Sequence, residues 1–112
     1  MIRVKSLTDK EILKKIVEIV SNYLPDCRVY LFGSRAKGTA KKNSDFDIAV
    51  DCGSKIPFSV MAKIEGELEE LPTLKSFDLV DLSLVSDDFR KMVERTGVVL
   101  YDGRVKREPE TP

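Results

Sequence analysis

The apolar residues of this chain change their period repeatedly, and that alternation limits the fold more than any other feature of the sequence. Thr8 followed by Glu11 forms a capping box. Behind it Ile12, Leu13, Ile16, Val17, Val20 and Leu24 recur at helical spacing as one apolar stripe. Pro25-Asp26 ends that helix. Cys27 to Phe32 is β-branched and aromatic, which predicts a strand, and Gly33 breaks it. Gly33 to Ser44 is small, polar and basic: a tight turn, a short helical segment near Ser34 to Ala36, then a loop through Gly38 and Asn43. Asp45 to Asp51 alternates acid with apolar residues and predicts a second strand.

Pro57 suits the start of the next helix, whose buried face is Val60, Met61, Ile64, Leu68 and Leu71, and Pro72 stops it. Ser76 to Leu84 predicts a third strand. Ser86 opens a short helix carrying Phe89, Met92 and Val93, Gly97 ends it, and Val98 to Tyr101 is a last strand. Helices alternate with strands throughout, so the class is α+β or α/β, one sheet with helices packed on it. Strand order does not follow from this pattern.

The chain has 112 residues, room for one domain, expected over residues 1–103 with a charged, proline-containing tail at 104–112. Nineteen basic and 19 acidic residues cancel, so bulk charge gives no reason to expect nucleic acid or an anionic membrane as partner. No window approaches the ~18 continuous apolar residues of a membrane span, and Met1 to Lys5 lacks the apolar core of a signal peptide. Cys27 and Cys52 lack CxxC spacing and suggest two reduced, partly buried thiols in the cytoplasm. The apolar faces of the first helix and last strand suit a homodimer or a docked partner as well as a core. The sequence has no histidine, which removes Ser-His-Asp and Cys-His sites and most zinc enzymes. Any chemistry must therefore come from carboxylates, hydroxyls, basic side chains and hard metal ions.

Asp45-Phe46-Asp47 supplies the acids. Residues i and i+2 of a strand share a face, so two carboxylates project together while Phe46 turns away. Side by side they repel unless a cation sits between them, and Mg²⁺ with its oxygen ligands is the natural choice. Upstream, Gly33-Ser34 lies where a strand gives way to a helical turn. Glycine admits close backbone approach, and free N–H groups there attract phosphate. The Ser34 hydroxyl adds a donor and Arg35 adds charge. A third acid comes from Phe77 to Asp81: Asp78, among apolar neighbours, suits the site, whereas Asp81 faces the other way and suits a cap or solvent. Asp51 shares a side with Asp45 and Asp47 but falls at the strand's end. A phosphate-binding turn followed by clustered carboxylates is what two-metal nucleotidyl transfer requires.

Gly33-Ser34, ten residues, then Asp45-Phe46-Asp47 resembles the signature of the DNA polymerase β nucleotidyltransferase superfamily. The string from Gly33 to Val50, with the later FDLVDL and GVVLY, is similar to its minimal stand-alone members. The resemblance implies a mixed sheet flanked by helices. It implies that Asp45 and Asp47 bind catalytic Mg²⁺, that Asp78 completes the site and helps activate an acceptor hydroxyl, and that Gly33 and Ser34 bind phosphates of ATP or another nucleoside triphosphate. It also implies a separate helical HEPN-type partner, in some cases a toxin that receives AMP from this subunit as its antitoxin. The alternative is a binding module that neutralises such a partner without turnover.

Overall fold

The computed structural model describes residues 6–40 and 45–104. In chain order they form helix α1 (Asp9–Tyr23), strand β1 (Arg28–Phe32), a single helical turn α2 (Ser34–Lys37) and strand β2 (Phe46–Asp51). Helix α3 (Phe58–Glu69), strand β3 (Phe77–Asp81), helix α4 (Asp87–Thr96) and strand β4 (Val98–Asp102) follow. The capping box is present at α1: the Glu11 N–H donates to the Thr8 hydroxyl and the Thr8 N–H donates to Glu11. Ser86 caps α4 through the Phe89 N–H.

The four strands lie in the order β3-β2-β1-β4. β1 runs antiparallel to both β2 and β4, while β2 and β3 are parallel, joined by a crossover through α3. The sheet is therefore mixed, with helices on both faces. One layer packs Ile12, Ile16 and Val20 of α1 and Ile64 and Leu68 of α3 on Val29, Leu31, Phe46, Ile48 and Val50. The other packs Val93, Phe89 and Met92 of α4 on Tyr30, Phe32 and Ala49. The odd-even division of β1 and β2 between these two layers is the period-two pattern of their sequences.

Two expectations are corrected here. The third strand stops at Asp81, five residues long rather than nine, because the chain turns: the Leu84 N–H donates to the Asp81 carbonyl. Cys27 and Cys52 are not free thiols but a disulfide, with Cα atoms 4.4 Å apart. The reason is register. Arg28 pairs with Asp51 across β1 and β2, so the residues just outside that pair face each other at cross-strand distance. Among the described residues no helix is long and apolar enough to cross a membrane. Of the expected tail only Arg104 lies within the described residues, and it is tied down, pairing with Asp51 at 2.7 Å.

Candidate active site

β1 delivers the turn and β2 returns the acids. Phe32, the last residue of β1, pairs with Asp47 of β2, so the turn that follows Phe32 opens beside the Asp47 carboxylate. Gly33 there has φ +74°, and a Cβ at this position would collide with Asp47 Oδ2 and sit 3.3 Å from its Cγ. Only glycine allows backbone and carboxylate to come this close. α2 then begins at Ser34, and its turn is closed by the Lys37 N–H on the Gly33 carbonyl and the Thr39 N–H on the Ser34 carbonyl. The first residues of such a turn present N–H groups without helical acceptors.

β3 supplies the third acid through parallel register, which sets Asp47 directly beside Asp78. Alternation puts both on the sheet face that carries α4, and Phe46 and Phe77 on the opposite face. Asp47 is half-buried and Asp78 and Asp45 are exposed. Asp45 lies one residue before β2 rather than within it. Ser76 holds it, donating its hydroxyl to Asp45 Oδ1 at 2.5 Å, and the Ser76 carbonyl accepts the Phe46 N–H at 3.0 Å. Burial pushes the Asp47 carboxyl above its ordinary value, and the charges of Asp78 and Asp45 push it the same way.

That repulsion is what a bound cation relieves, and the donors are all carboxylate oxygens, a set that fits a hard ion such as Mg²⁺. Among the described residues no three Asp, Glu, Cys or His side chains close on a single point as metal ligands. Gly33, Ser34, Asp45, Asp47 and Asp78 are thus gathered at one end of β1, β2 and β3. Arg35 is not gathered there. Its guanidinium turns back over the Phe46 ring, 3.9 Å from the centroid, and pairs with Asp9 at 2.9 Å.

The two acids set aside in the sequence have other work. Asp51 shares the face of Asp47 but sits at the far end of β2, taking Arg104 and the Gly53 N–H. Asp81 is buried rather than solvated, and its carboxylate accepts the Ile56 N–H at 2.9 Å and the Ser83 N–H at 2.8 Å. Sequence reasoning missed Ser76, Asp9 and Lys75. Asp9 contacts residues 26 and 66 positions away, and no local pattern carries such pairings.

The family model of polymerase β nucleotidyltransferases matches residues 14–104. A probable protein adenylyltransferase MntA of Haemophilus influenzae is 33% identical over 92 residues, 82% of this chain and 81% of its own. The crystal structure of a toxin–antitoxin MntA–HpeT carrying two aspartate-to-glutamate changes superposes with a TM-score of 0.67 at 27% identity, covering 80% of this chain and 73% of the other. A toxin–antitoxin crystal structure with AMP-PNP gives 0.63 at 29% identity, with the same coverage.

Proposed function

This chain belongs to the polymerase β nucleotidyltransferase family, and from that premise we propose that it moves AMP from ATP onto a hydroxyl of a helical HEPN-type partner, acting as the antitoxin of the pair. It is a nucleotidyltransferase and its relative is a probable protein adenylyltransferase. The observation that carries the reading is the parallel register setting Asp47 beside Asp78 with Gly33 against the Asp47 carboxylate. Such an arrangement can hold a triphosphate at the turn and, through bound cations, balance its charge within reach of three acids.

In this reading Gly33 and Ser34 bind the phosphates through backbone N–H groups and the Ser34 hydroxyl. Asp45, Asp47 and Asp78 would hold two Mg²⁺ ions, which supply charge neutralisation at the triphosphate and at the attacking oxygen. Asp78, the most solvent-facing of the strand pair, accepts the proton of the incoming hydroxyl. The acceptor oxygen forms a bond to the α-phosphorus, the bond from that phosphorus to the bridging oxygen breaks, and pyrophosphate leaves. Ser76 keeps Asp45 aimed through its hydrogen bond. Dependence on ATP favours the cytoplasm as the place of reaction, although the Cys27–Cys52 disulfide removes the support that reduced thiols would have given.

The test is transfer of label. Purified chain is incubated with α-labelled ATP and Mg²⁺, with and without the protein encoded beside it. Label on the neighbour, lost with Asp47→Ala and with chelation, is the expected result. Label that persists in the variant removes Asp47 from the chemistry, and ATP binding without label on the neighbour points to a different acceptor.

A further inference from the structure

Arg35 lies two residues beyond Gly33, inside the turn assigned to phosphate, yet its side chain is only 8% exposed and points elsewhere. A buried guanidinium is costly unless paired and stacked. Here Asp9 pairs with it at 2.9 Å and the Phe46 ring lies under it at 3.9 Å. Phe46 in turn stacks on Phe77, with centroids 5.7 Å apart and planes at 24°. Phe46 is the residue between Asp45 and Asp47, and Phe77 is the residue before Asp78. The stack Arg35–Phe46–Phe77 therefore runs along one face of β2 and β3, one residue out of phase with Asp47–Asp78 on the other face. A slip of β3 along β2 breaks both together.

Asp9, the first residue of α1, anchors the end of this stack. Besides Arg35 it takes the Lys75 ammonium, and Lys75 is two residues before Phe77. Its carboxyl is held below the ordinary value, chiefly by the Lys75 hydrogen bond, with burial opposing and Arg35 adding to it. One carboxylate thus joins the phosphate turn to the start of β3, next to the Ser76 that holds Asp45.

We infer that Arg35 is a positioning residue rather than a nucleotide contact: clamped by Asp9 on the Phe46–Phe77 stack, it fixes the Gly33–Ser34 turn and the register of the three acids. The inference rests on the nucleotidyl-transfer reading of the site.

The test uses the full chain with its partner and the variants Asp9→Asn, Arg35→Gln, Arg35→Lys and the Asp9→Asn/Arg35→Gln double. Label transfer from α-labelled ATP is measured, together with Mn²⁺ binding to the free protein by electron paramagnetic resonance and the thermal melt. The expected result is kcat lowered about tenfold by Asp9→Asn and by Arg35→Gln, with KM for ATP within about threefold of wild type and Mn²⁺ affinity reduced. Arg35→Lys, which keeps the ion pair but loses the planar stack, falls between. The double variant is no worse than the singles.

A raised KM in Arg35→Gln with kcat and Mn²⁺ affinity unchanged, and Asp9→Asn silent, overturns the inference in favour of nucleotide contact. Lower melts with kcat, KM and Mn²⁺ affinity unchanged overturn it in favour of a plain structural brace. Where Arg35→Gln does not fold, Asp9→Asn, whose side chain is 48% exposed, carries the comparison. If wild type transfers no label, the functional reading fails by itself and Mn²⁺ binding decides: weaker binding in Asp9→Asn supports the clamp. Unchanged affinity, or a wild type that binds no Mn²⁺, overturns it.

Discussion

Gly33 packs so tightly on Asp47 that a methyl group at Gly33 would occupy the space of the Asp47 carboxylate, with Cγ 3.3 Å from the added carbon. Gly33→Ala therefore combines the strain of φ +74° with ψ −151°, a backbone region essentially confined to glycine and worth about 1–3 kcal/mol, with displacement of the central acid. Label transfer is expected to fall at least about 100-fold, the scale of a misplaced reacting group. Gly38 is the control for a positive φ without the contact. It has the same φ of +74° but a ψ of 13° against −151° at Gly33, the ordinary left-handed region, and among the described residues nothing lies within 4 Å of its Cβ position, so Gly38→Ala costs less stability than Gly33→Ala and keeps most of the activity. Equal losses of activity in both variants would show that backbone strain, not contact with Asp47, is responsible.

Asp47 sits at a functional cost to the fold. Its carboxyl is raised above its ordinary value, by burial first and then by Asp78 and Asp45. The folded chain therefore holds this proton to higher pH than the unfolded chain, and stability declines as pH rises through the window above that value. At neutral pH the ionised group opposes folding. Asp47→Asn is expected to raise the melting temperature of the metal-free protein by about 2–4 °C, near 0.5 kcal/mol, while abolishing label transfer. Added Mg²⁺ should stabilise wild type and leave the variant unmoved. A variant that melts lower than wild type in chelator would show that Asp47 contributes native contacts outweighing the repulsion.

Much of this arrangement is legible in the sequence because it is local. The capping box at Thr8, the break at Gly33 and the alternation from Phe46 to Asp51 each depend on neighbours within a few positions. Asp47 and Asp78 are recoverable because a strand's period dictates which residues share its face, and Asp45 because it stands two positions from Asp47. What is not legible is pairing across the fold. The disulfide follows from the Arg28–Asp51 register, which no spacing of two cysteines reveals. Arg35 reads as a phosphate ligand because charge in a glycine turn is the visible signal, while its partner Asp9 lies 26 residues away on α1. Asp81 shows the same limit: its burial depends on Ile56, which reaches it from the segment before α3.

The Cys27–Cys52 bond closes a loop of 25 residues, for which chain entropy gives about 3 kcal/mol. It joins the start of β1 to the chain just past β2, the end of the hairpin opposite Gly33 and Asp47. Cys27→Ala/Cys52→Ala is expected to lower the unfolding free energy read from urea titration by that amount and the melting temperature by roughly 10–20 °C. Folded protein should still transfer label at near the wild-type rate. A loss of transfer at temperatures where the variant is fully folded would mean that the staple also sets the geometry of the distant end.

Asp78 and Asp81 stand three residues apart on β3 and so serve opposite faces, which allows one strand to separate chemistry from architecture. Asp81, 4% exposed, satisfies the N–H groups of Ile56 and Ser83. Asp81→Ala strands the Ile56 N–H in the interior, at about 1–3 kcal/mol, while the N–H of exposed Ser83 turns to water, and its remaining folded fraction should transfer label normally. Asp78 is exposed and lies beside a like charge. Asp78→Ala should leave the melt unchanged or slightly raised, since repulsion on Asp47 is relieved, while label transfer falls at least about 100-fold. Measuring melt and transfer for both variants gives a crossed pattern if the faces divide as described. A stability loss at Asp78 with transfer intact would reassign the third carboxylate to Asp81 and require β3 to pair with β2 in a shifted register.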